Sequence, residues 1–429
     1  MNHRPDEYRG LLRFPNDPEV IEFPDPIEEP DEDSGEQREA PDPDEGEQHS
    51  REELENAAGD LLETVDFLRE VDRALEGRYA GPTDPVKLAV LSLYSRHLDK
   101  PVSVVLRGES SAGKSYAIRQ ALEFAAPEAH YVLTASSPKA LIYSDEDLRH
   151  RILVVYEGEG IASDFTTYLV RSLLSEGRIT YEVTDWENKG TLKIDKEGPT
   201  GLIFSTAGRI DYELSTRMIS VSIDDSPKIT REILIVAALD ATGAVSVPDL
   251  GRFHAIDRLL ALEPHSVVIP YALDLAELAD NRAVRMRRDF GALLGLIKTH
   301  ALIHHRNRKI NAEGEIVAEV ADYAAIHGLV SRLLADASGR TVPDAVRRVT
   351  EVVELLDAEN SAAEVSTRAV AERMGRDRTT ASRYLKRAVG MGFVNVSKAL
   401  WTPNKIFRPG EPLPEDVGVL PDPEELEDK

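Results

Sequence analysis

The octapeptide Gly108-Glu109-Ser110-Ser111-Ala112-Gly113-Lys114-Ser115 constrains this chain more than any other stretch. It fits G-x-x-x-x-G-K-[ST], a pattern whose small residues let backbone N–H groups close around phosphate oxygens. The pattern works where a strand ends and a helix begins, because the helix N-terminus adds favourable partial charge. Both flanks fit: Val102-Ser103-Val104-Val105-Leu106 is a strand-forming run, and Ser115 to Phe124 reads as a helix. In that setting Lys114 reaches the β- and γ-phosphates of a nucleoside triphosphate, and Ser115 ligates Mg²⁺. ATP and Mg²⁺ are the expected ligands.

The surrounding pattern is α/β. Ile152-Leu153-Val154-Val155 is a continuous apolar run of the kind that forms a buried parallel strand, and Leu202-Ile203-Phe204 and Met218 to Ile223 are two more. A short strand is expected at His130–Thr134. Helices are expected over 51–77, Pro85–His97, from near Ser137-Pro138, and Ser163–Glu176. Strands alternating with helices make a P-loop core. The first apolar strand runs into Tyr156-Glu157-Gly158-Glu159. Glu157 is the candidate to polarise an attacking water and to help hold the metal, with Glu159 second. Tyr156 stands where the usual pattern has an acid, which leaves the metal to Ser115, water and one of the two glutamates. The strand Leu202–Phe204 ends at Ser205-Thr206, a polar end suited to the γ-phosphate or to orienting water. Arg217 follows on a short loop, either as a surface arginine or as one supplied to a neighbour's nucleotide.

The chain of 429 residues has no cysteine, which excludes disulfides and cysteine-ligated metal clusters. No stretch is apolar enough to span a bilayer, and the N-terminus is acidic with no apolar signal core, so a cytoplasmic protein without membrane contact is expected. The net charge of −26 is unevenly spread. Residues 1–50 carry 17 acids and 4 bases, residues 411–429 carry 8 acids and 1 base, and residues 366–410 carry 10 bases and 2 acids. Both ends read as acidic disordered tails. They serve to solubilise the chain, to mimic nucleic acid, or to suit a salt-rich cytoplasm, and composition does not choose among these.

The expected organisation is a tail (1–50), a P-loop core with N-terminal helices (51–227), a helical region (228–340), a small separate unit (341–410) and a second tail (411–429). In the small unit, Ser366 and Asp377 look like N-caps, Gly375 makes a turn, and two short strands follow at Phe393–Val396 and Lys405–Phe407. This is the pattern of a winged helix-turn-helix. Its second helix would expose Arg378, Thr379, Ser382, Arg383, Lys386 and Arg387, leaving Ala381, Tyr384, Leu385 and Ala388 to the core. That face suits DNA, with protein interaction as the alternative use. A further cluster of Arg282, Arg285, Arg287, Arg288, His300, His304, His305, Arg306 and Arg308 suits nucleic acid or a subunit interface. The His300–His304 pair at i, i+4 lacks an evident third metal ligand.

Several fragments in order carry a resemblance: Ser137-Pro138-Lys139-Ala140-Leu141, Arg151 to Gly160, Leu173-Leu174-Ser175-Glu176-Gly177, Gly198-Pro199, Thr216-Arg217 with Asp224-Asp225-Ser226, Ile269-Pro270-Tyr271 and Arg287-Arg288-Asp289-Phe290. Over about residues 83–335 the chain resembles AAA+ ATPases similar to superfamily 3 helicases, which accompany DNA primases in bacterial and archaeal mobile elements. The resemblance implies a homo-oligomeric ring, with a hexamer as its expected size, acting on DNA beside a separate primase or polymerase. It implies Glu157 as the catalytic acid, Thr206 as a sensor and Arg217 as an arginine finger. It also implies that the hairpin read at Arg178–Ile194 grips DNA in the ring pore through Trp186 and Lys189; local packing of the tryptophan is the alternative. Without cysteine the chain lacks the zinc-finger primase segment many members carry, so primer synthesis is not expected of it. The leading expectation is an ATP-driven helicase or replication-initiation ATPase. The alternatives are an ATP-dependent transcription regulator and a nucleotide-binding scaffold with little turnover.

Overall fold

The computed structural model describes residues 50–109, 112–133, 146–156, 164–185, 190–208, 211–243, 248–262, 266–279, 286–337, 344–359, 365–398, 405–413 and 419–427. The expected helix near Ser137-Pro138 and almost all of the N-terminal tail lie outside these residues. The single helix expected over 51–77 is two, Arg51–Ala58 (α1) and Phe67–Leu75 (α2). Gly59, at φ +51°, ends the first. Asp66 starts the second by accepting from the Arg69 N–H at 3.0 Å. A third helix, Asp84–Tyr94 (α3), leads to the sheet.

The central sheet is built from Val104–Arg107 (β1), the helix Lys114–Leu122 (α4), His130–Leu133 (β2), Arg151–Val155 (β3) and the helix Asp164–Glu176 (α5). A hairpin, Arg178–Asp185 (β4) and Gly190–Glu197 (β5), precedes Thr200–Thr206 (β6). A short helix, Tyr212–Ser215 (α6), precedes Ile219–Ser222 (β7). Five strands pair in parallel in the order β2-β3-β6-β1-β7, and the hairpin forms its own two-stranded sheet. Parallel strands covered on both faces need apolar residues at every position, which is why the sequence runs are continuous rather than alternating. Successive residues still part company. Val104, Leu106, Ile152, Val154 and Ile203 enter one core cluster, while Val105, Leu153, Val155, Leu202 and Phe204 enter another. The first cluster packs under the helices before β1 and after β7; the second packs under α5 and the base of the hairpin, through Ile179.

After β7 come Pro227–Ala241 (α7), Gly251–Ala261 (α8), Val267–Val268 (β8), Ala272–Leu278 (α9), Met286–Ile303 (α10), Lys309–Ile310 (β9), Ile316–Val317 (β10) and Val320–Ala337 (α11). The purely helical expectation for 228–340 is corrected by the sheet β8-β10-β9. Two-residue strands are too short to leave a period in the sequence. Packing does not stop at 227 either, because one cluster runs from Leu54 through Leu334.

Buried charges tie these layers. Asp257 on α8 accepts from Arg96 Nε at 3.0 Å, from the His97 ring at 2.8 Å and from the Ala126 N–H at 3.0 Å. Asp322 on α11 accepts from His300 Nδ1 at 2.6 Å, from Arg308 Nη2 at 2.6 Å and Nε at 2.9 Å, and from the Glu319 N–H at 2.8 Å. His304 accepts from the Phe67 N–H at 3.2 Å through Nε2, and its other nitrogen donates to the His300 carbonyl at 2.8 Å. His300, His304 and Asp322 bring ligand atoms within 4.8 Å of one another. Those on His304 and Asp322 already serve protein partners, so the cluster is a structural clasp. The expected nucleic-acid or interface use of His300, His304 and Arg308 is thereby corrected: they face inward. Arg282 and Arg285 lie outside the described residues.

The C-terminal unit holds Asp344–Glu359 (α12), Val365–Ser366 (β11), Thr367–Met374 (α13), Arg378–Gly390 (α14), Val394–Lys398 (β12) and Lys405–Pro409 (β13). Its strands pair antiparallel in the order β11-β13-β12. Ser366 caps α13, Asp377 caps α14 through the Thr379 and Thr380 N–H groups at 2.8 and 2.9 Å, and Gly375 turns between them at φ +63°. The reading of 411–429 as a disordered tail is corrected for its last part. Val419, Leu420 and Leu426 are buried in the main core, Tyr323 donates to the Pro421 carbonyl at 2.6 Å, and Glu424–Glu427 forms a last helix (α15). Acidic composition concealed the three apolar anchors.

The clasps make stability pH-dependent. Burial pushes the Asp257 carboxyl up, but the charge of Arg96 and the His97 hydrogen bond outweigh it and hold the group at about 2. Burial likewise opposes, and the His300 and Arg308 hydrogen bonds prevail, at Asp322, also about 2. Their contribution is complete above the unfolded carboxylate range and is lost as pH falls toward 2. Burial, with His300 beside it, lowers His304 from 6.5 to about 3, so below 6.5 the unfolded chain takes up a proton that the folded chain refuses. Urea unfolding followed by circular dichroism is expected to show stability falling below pH 6.5, by up to about 1.4 kcal/mol per pH unit for this one proton. His304→Gln, which keeps an acceptor for Phe67, should reduce that upper limb to the share of His130 and His327, which burial also lowers, and leave the loss near pH 4 to 2.

Candidate nucleotide site

The described ends of the loop after β1, Gly108-Glu109 and Ala112–Ser115, lead from the strand into a helix. Gly113 takes φ +90°, a left-handed value that would strain any side chain, and passes the chain directly into α4. Lys114 is buried at 6 % exposure, and its ammonium donates to the carbonyls of Gly108 at 3.0 Å and Glu109 at 2.6 Å. A cation held this way lies against the loop. Ala112 closes the near side by donating to the Glu109 carbonyl at 3.2 Å. Ser110 and Ser111 lie outside the described residues. Ser115, half-buried in the first turn of α4, is one hard oxygen donor of the type Mg²⁺ takes.

Strand register sets what surrounds the loop. Arg107 pairs with Thr206 on one side and with Ser222 on the other. Thr206 is thus level with the start of the loop, and its hydroxyl accepts from the Gly208 N–H at 3.0 Å. Val155 pairs with Phe204, so β3 ends on the same edge, two strands or about 10 Å from β1. Glu157 and Glu159 lie outside the described residues. Tyr156 is half-buried, and its burial raises the phenol above its ordinary pKa against the opposing charge of Arg119. A neutral phenol there supplies no carboxylate to a metal.

Arg217 is at the opposite end of the sheet. It precedes β7, donates to Ser175 Oγ at 2.5 Å and to the Glu213 carbonyl at 2.6 Å, and helps line a cavity of about 490 Å³ with Lys100 and Arg288. Six residues at 3.3 Å each separate it from the level of Gly108, about 20 Å, which is beyond an arginine's reach. It cannot touch the nucleotide of its own chain.

A cleft of about 1020 Å³ opens beside the loop. Gly108, Glu109, Thr206, Asp224 and Asp225 form one wall, and Arg348, Tyr384 and Arg387 of the C-terminal unit form the other. Arg376 pairs with Asp225 at 2.6 Å, and Arg348 with Asp224 at 3.7 Å. The sequence carried no signal for this second wall, because helices far apart along the chain meet there. Tyr116, the residue after Ser115, stacks on Tyr79 with ring centres 5.9 Å apart, another pairing that spacing does not reveal.

The structure gathers Arg378, Thr379, Ser382, Arg383, Lys386 and Arg387 on one side of α14, along a cavity of about 770 Å³. Ala381, Leu385 and Ala388 are buried opposite them. The hairpin pairs from Arg178 with Glu197 to Asp185 with Gly190, a ribbon about 25 Å long. Its tip residues Trp186 and Lys189 lie outside the described residues.

Residues 53–245, a little under half of the chain, match the family described as "MTBMA_p00010 P-loop domain". No curated protein matches the sequence. Among solved structures the chain is similar to NtrX from Brucella abortus, at 16% identity over 76% of this chain and 72% of that one, with a TM-score of 0.27. It is also similar to the ADP complex of NtrX, at 14% identity over 75% and 73%, with a TM-score of 0.27. Scores that low do not establish a shared overall fold. The loop, its sheet and the family match agree on a P-loop domain. No described helix is long and apolar enough to cross a membrane.

Lys114→Ala removes the only ammonium held against the loop carbonyls among the described residues. Titration with a fluorescent ATP analogue is expected to show affinity reduced at least tenfold, with an unchanged far-UV spectrum.

Proposed function

We propose that the chain is an ATP-hydrolysing P-loop ATPase of the AAA+ kind that acts on DNA, with a winged helix-turn-helix as its C-terminal unit. The observation that carries the hydrolytic reading is the strand order. β6, ending in Thr206, lies between β1 with its loop and β3, which leads to Glu157. A polar strand end and the end of β3 thus share one edge with the phosphate-binding loop, which supports placing a water-polarising carboxylate there. Thr206 orients water or senses the γ-phosphate, Glu157 polarises the water, and Ser115 with Glu157 holds Mg²⁺.

The distance of Arg217 from its own loop supports use in trans, within a homo-oligomeric ring for which a hexamer is the natural size. The cationic side of α14 supports binding of duplex DNA in the major groove. The long hairpin supports a second, pore-side contact through Trp186 and Lys189. Together these favour a helicase or replication-initiation ATPase working beside a separate primase or polymerase. Tyr156 favours a second reading, a nucleotide-binding scaffold with little turnover, because a phenol stands where the usual pattern has an acid.

ATP turnover measured with and without single- and double-stranded DNA tests the choice. Stimulation by DNA, abolished in Glu157→Gln, is the expected result; negligible turnover under all conditions selects the scaffold. Arg217→Ala should bind nucleotide normally but turn over at least a hundredfold more slowly. Mixing it with Lys114→Ala, which still carries Arg217, should restore part of the activity. Absence of any restoration removes the trans assignment.

A further inference from the structure

The cationic side of α14 and the phosphate-binding loop touch, although 274 residues separate them in sequence. Arg383 Nη2 lies 3.1 Å from Glu109 Oε1 inside the loop. One turn along the helix, Arg387 lines both the cavity along the cationic side and the cleft at the loop. A second contact, away from the loop, holds the same arrangement. Arg376, 21% exposed, pairs with Asp225 at 2.6 Å. Gly375 sits so close to Pro227 that a Cβ there would lie 3.5 Å from the proline Cγ. The turn between α13 and α14 is thus seated on the segment that follows β7, and the seat brings the cationic side to Glu109.

This arrangement conflicts with the groove geometry of DNA. The major groove is about 12 Å wide, close to the diameter of a helix with its side chains. The Glu109 carboxylate holds the Arg383 guanidinium where a DNA phosphate would have to meet it, in a pair that is itself open to solvent. Arg383 must leave Glu109 before it can take a phosphate of the duplex. A triphosphate acts in the other direction, because its negative charge at the cleft attracts Arg387 and Arg383 and draws α14 down.

We propose that nucleotide and duplex DNA are antagonistic ligands of this junction, each lowering the affinity for the other by competing for Arg383 and Arg387. The proposal rests on the DNA reading of α14 given above. Coupling between two binding equilibria is reciprocal, so both affinities change by one factor. Turnover is not bound by that reciprocity, so DNA can weaken nucleotide binding and still accelerate the cycle.

The test uses the full chain, a fluorescein-labelled duplex of about 20 base pairs, and the non-hydrolysable analogue AMP-PNP with Mg²⁺, at constant salt because phosphate contacts are salt-sensitive. Fluorescence anisotropy should show duplex affinity at least fivefold weaker with saturating AMP-PNP, and the duplex should weaken AMP-PNP by the same factor. Glu109→Gln and Asp225→Asn, which release the helix at two separate points, should each tighten duplex binding in the nucleotide-free protein. Arg378→Glu with Lys386→Glu should abolish it. Two ligands that bind with mutually indifferent affinities, or a duplex tightened by AMP-PNP, overturn the antagonism and leave the DNA reading standing. A wild-type chain that binds no duplex in either state overturns both.

Discussion

The pairing of Arg107 with Thr206 on one side and Ser222 on the other is the constraint from which the site follows. Parallel strands in register end together, so whatever each strand carries at its C-terminal end is delivered to one edge. The phosphate-binding loop, the hydroxyl of Thr206, the approach to Glu157 and the Asp224-Asp225 segment all arrive there for that reason. The same register sends Arg217 to the far edge. A single sheet therefore holds Arg217 well away from the phosphate-binding loop of its own chain.

That register is held by burial on both faces, and two buried carboxylates outside the sheet tie the helices around it. Asp257 joins the end of α3 to α8 and to the segment after α4, and Asp322 joins α10 to α11. Each accepts several hydrogen bonds and has a guanidinium partner, which offsets the cost of removing charge from water. Breaking one partner would leave an uncompensated buried charge, so the clasps specify one arrangement of the helices around the first core cluster. The C-terminal segment adds a third tie, with Val419, Leu420 and Leu426 laid into that cluster.

Much of the fold was legible because its signals are local. The apolar runs at Ile152–Val155 and Leu202–Phe204, the caps at Ser366 and Asp377 and the turn at Gly375 each act within a few residues, and each is where the sequence indicates. The break between α1 and α2 was missed because apolar spacing continues across it, while Gly59 and Asp66 interrupt the backbone. The strands β8, β9 and β10 were missed because pairs of residues cannot display a period. The arginine and histidine cluster misled because composition does not tell an inward side chain from an outward one. His300 and His304 face Asp322 and Phe67 rather than solvent.

The sequence alone determined the loop Gly108–Ser115, the alternation that makes a parallel sheet, and the cationic side of α14. All three depend on residue type at fixed spacing, which a linear chain displays directly. Only the tertiary structure decided the order β2-β3-β6-β1-β7, the distance of Arg217 from its own loop, and the seat of α14 on Glu109 and Asp225. These depend on which surfaces bury each other. Burial is a property of elements meeting in space, and Arg383 and Glu109 meet only after every intervening strand and helix has been packed.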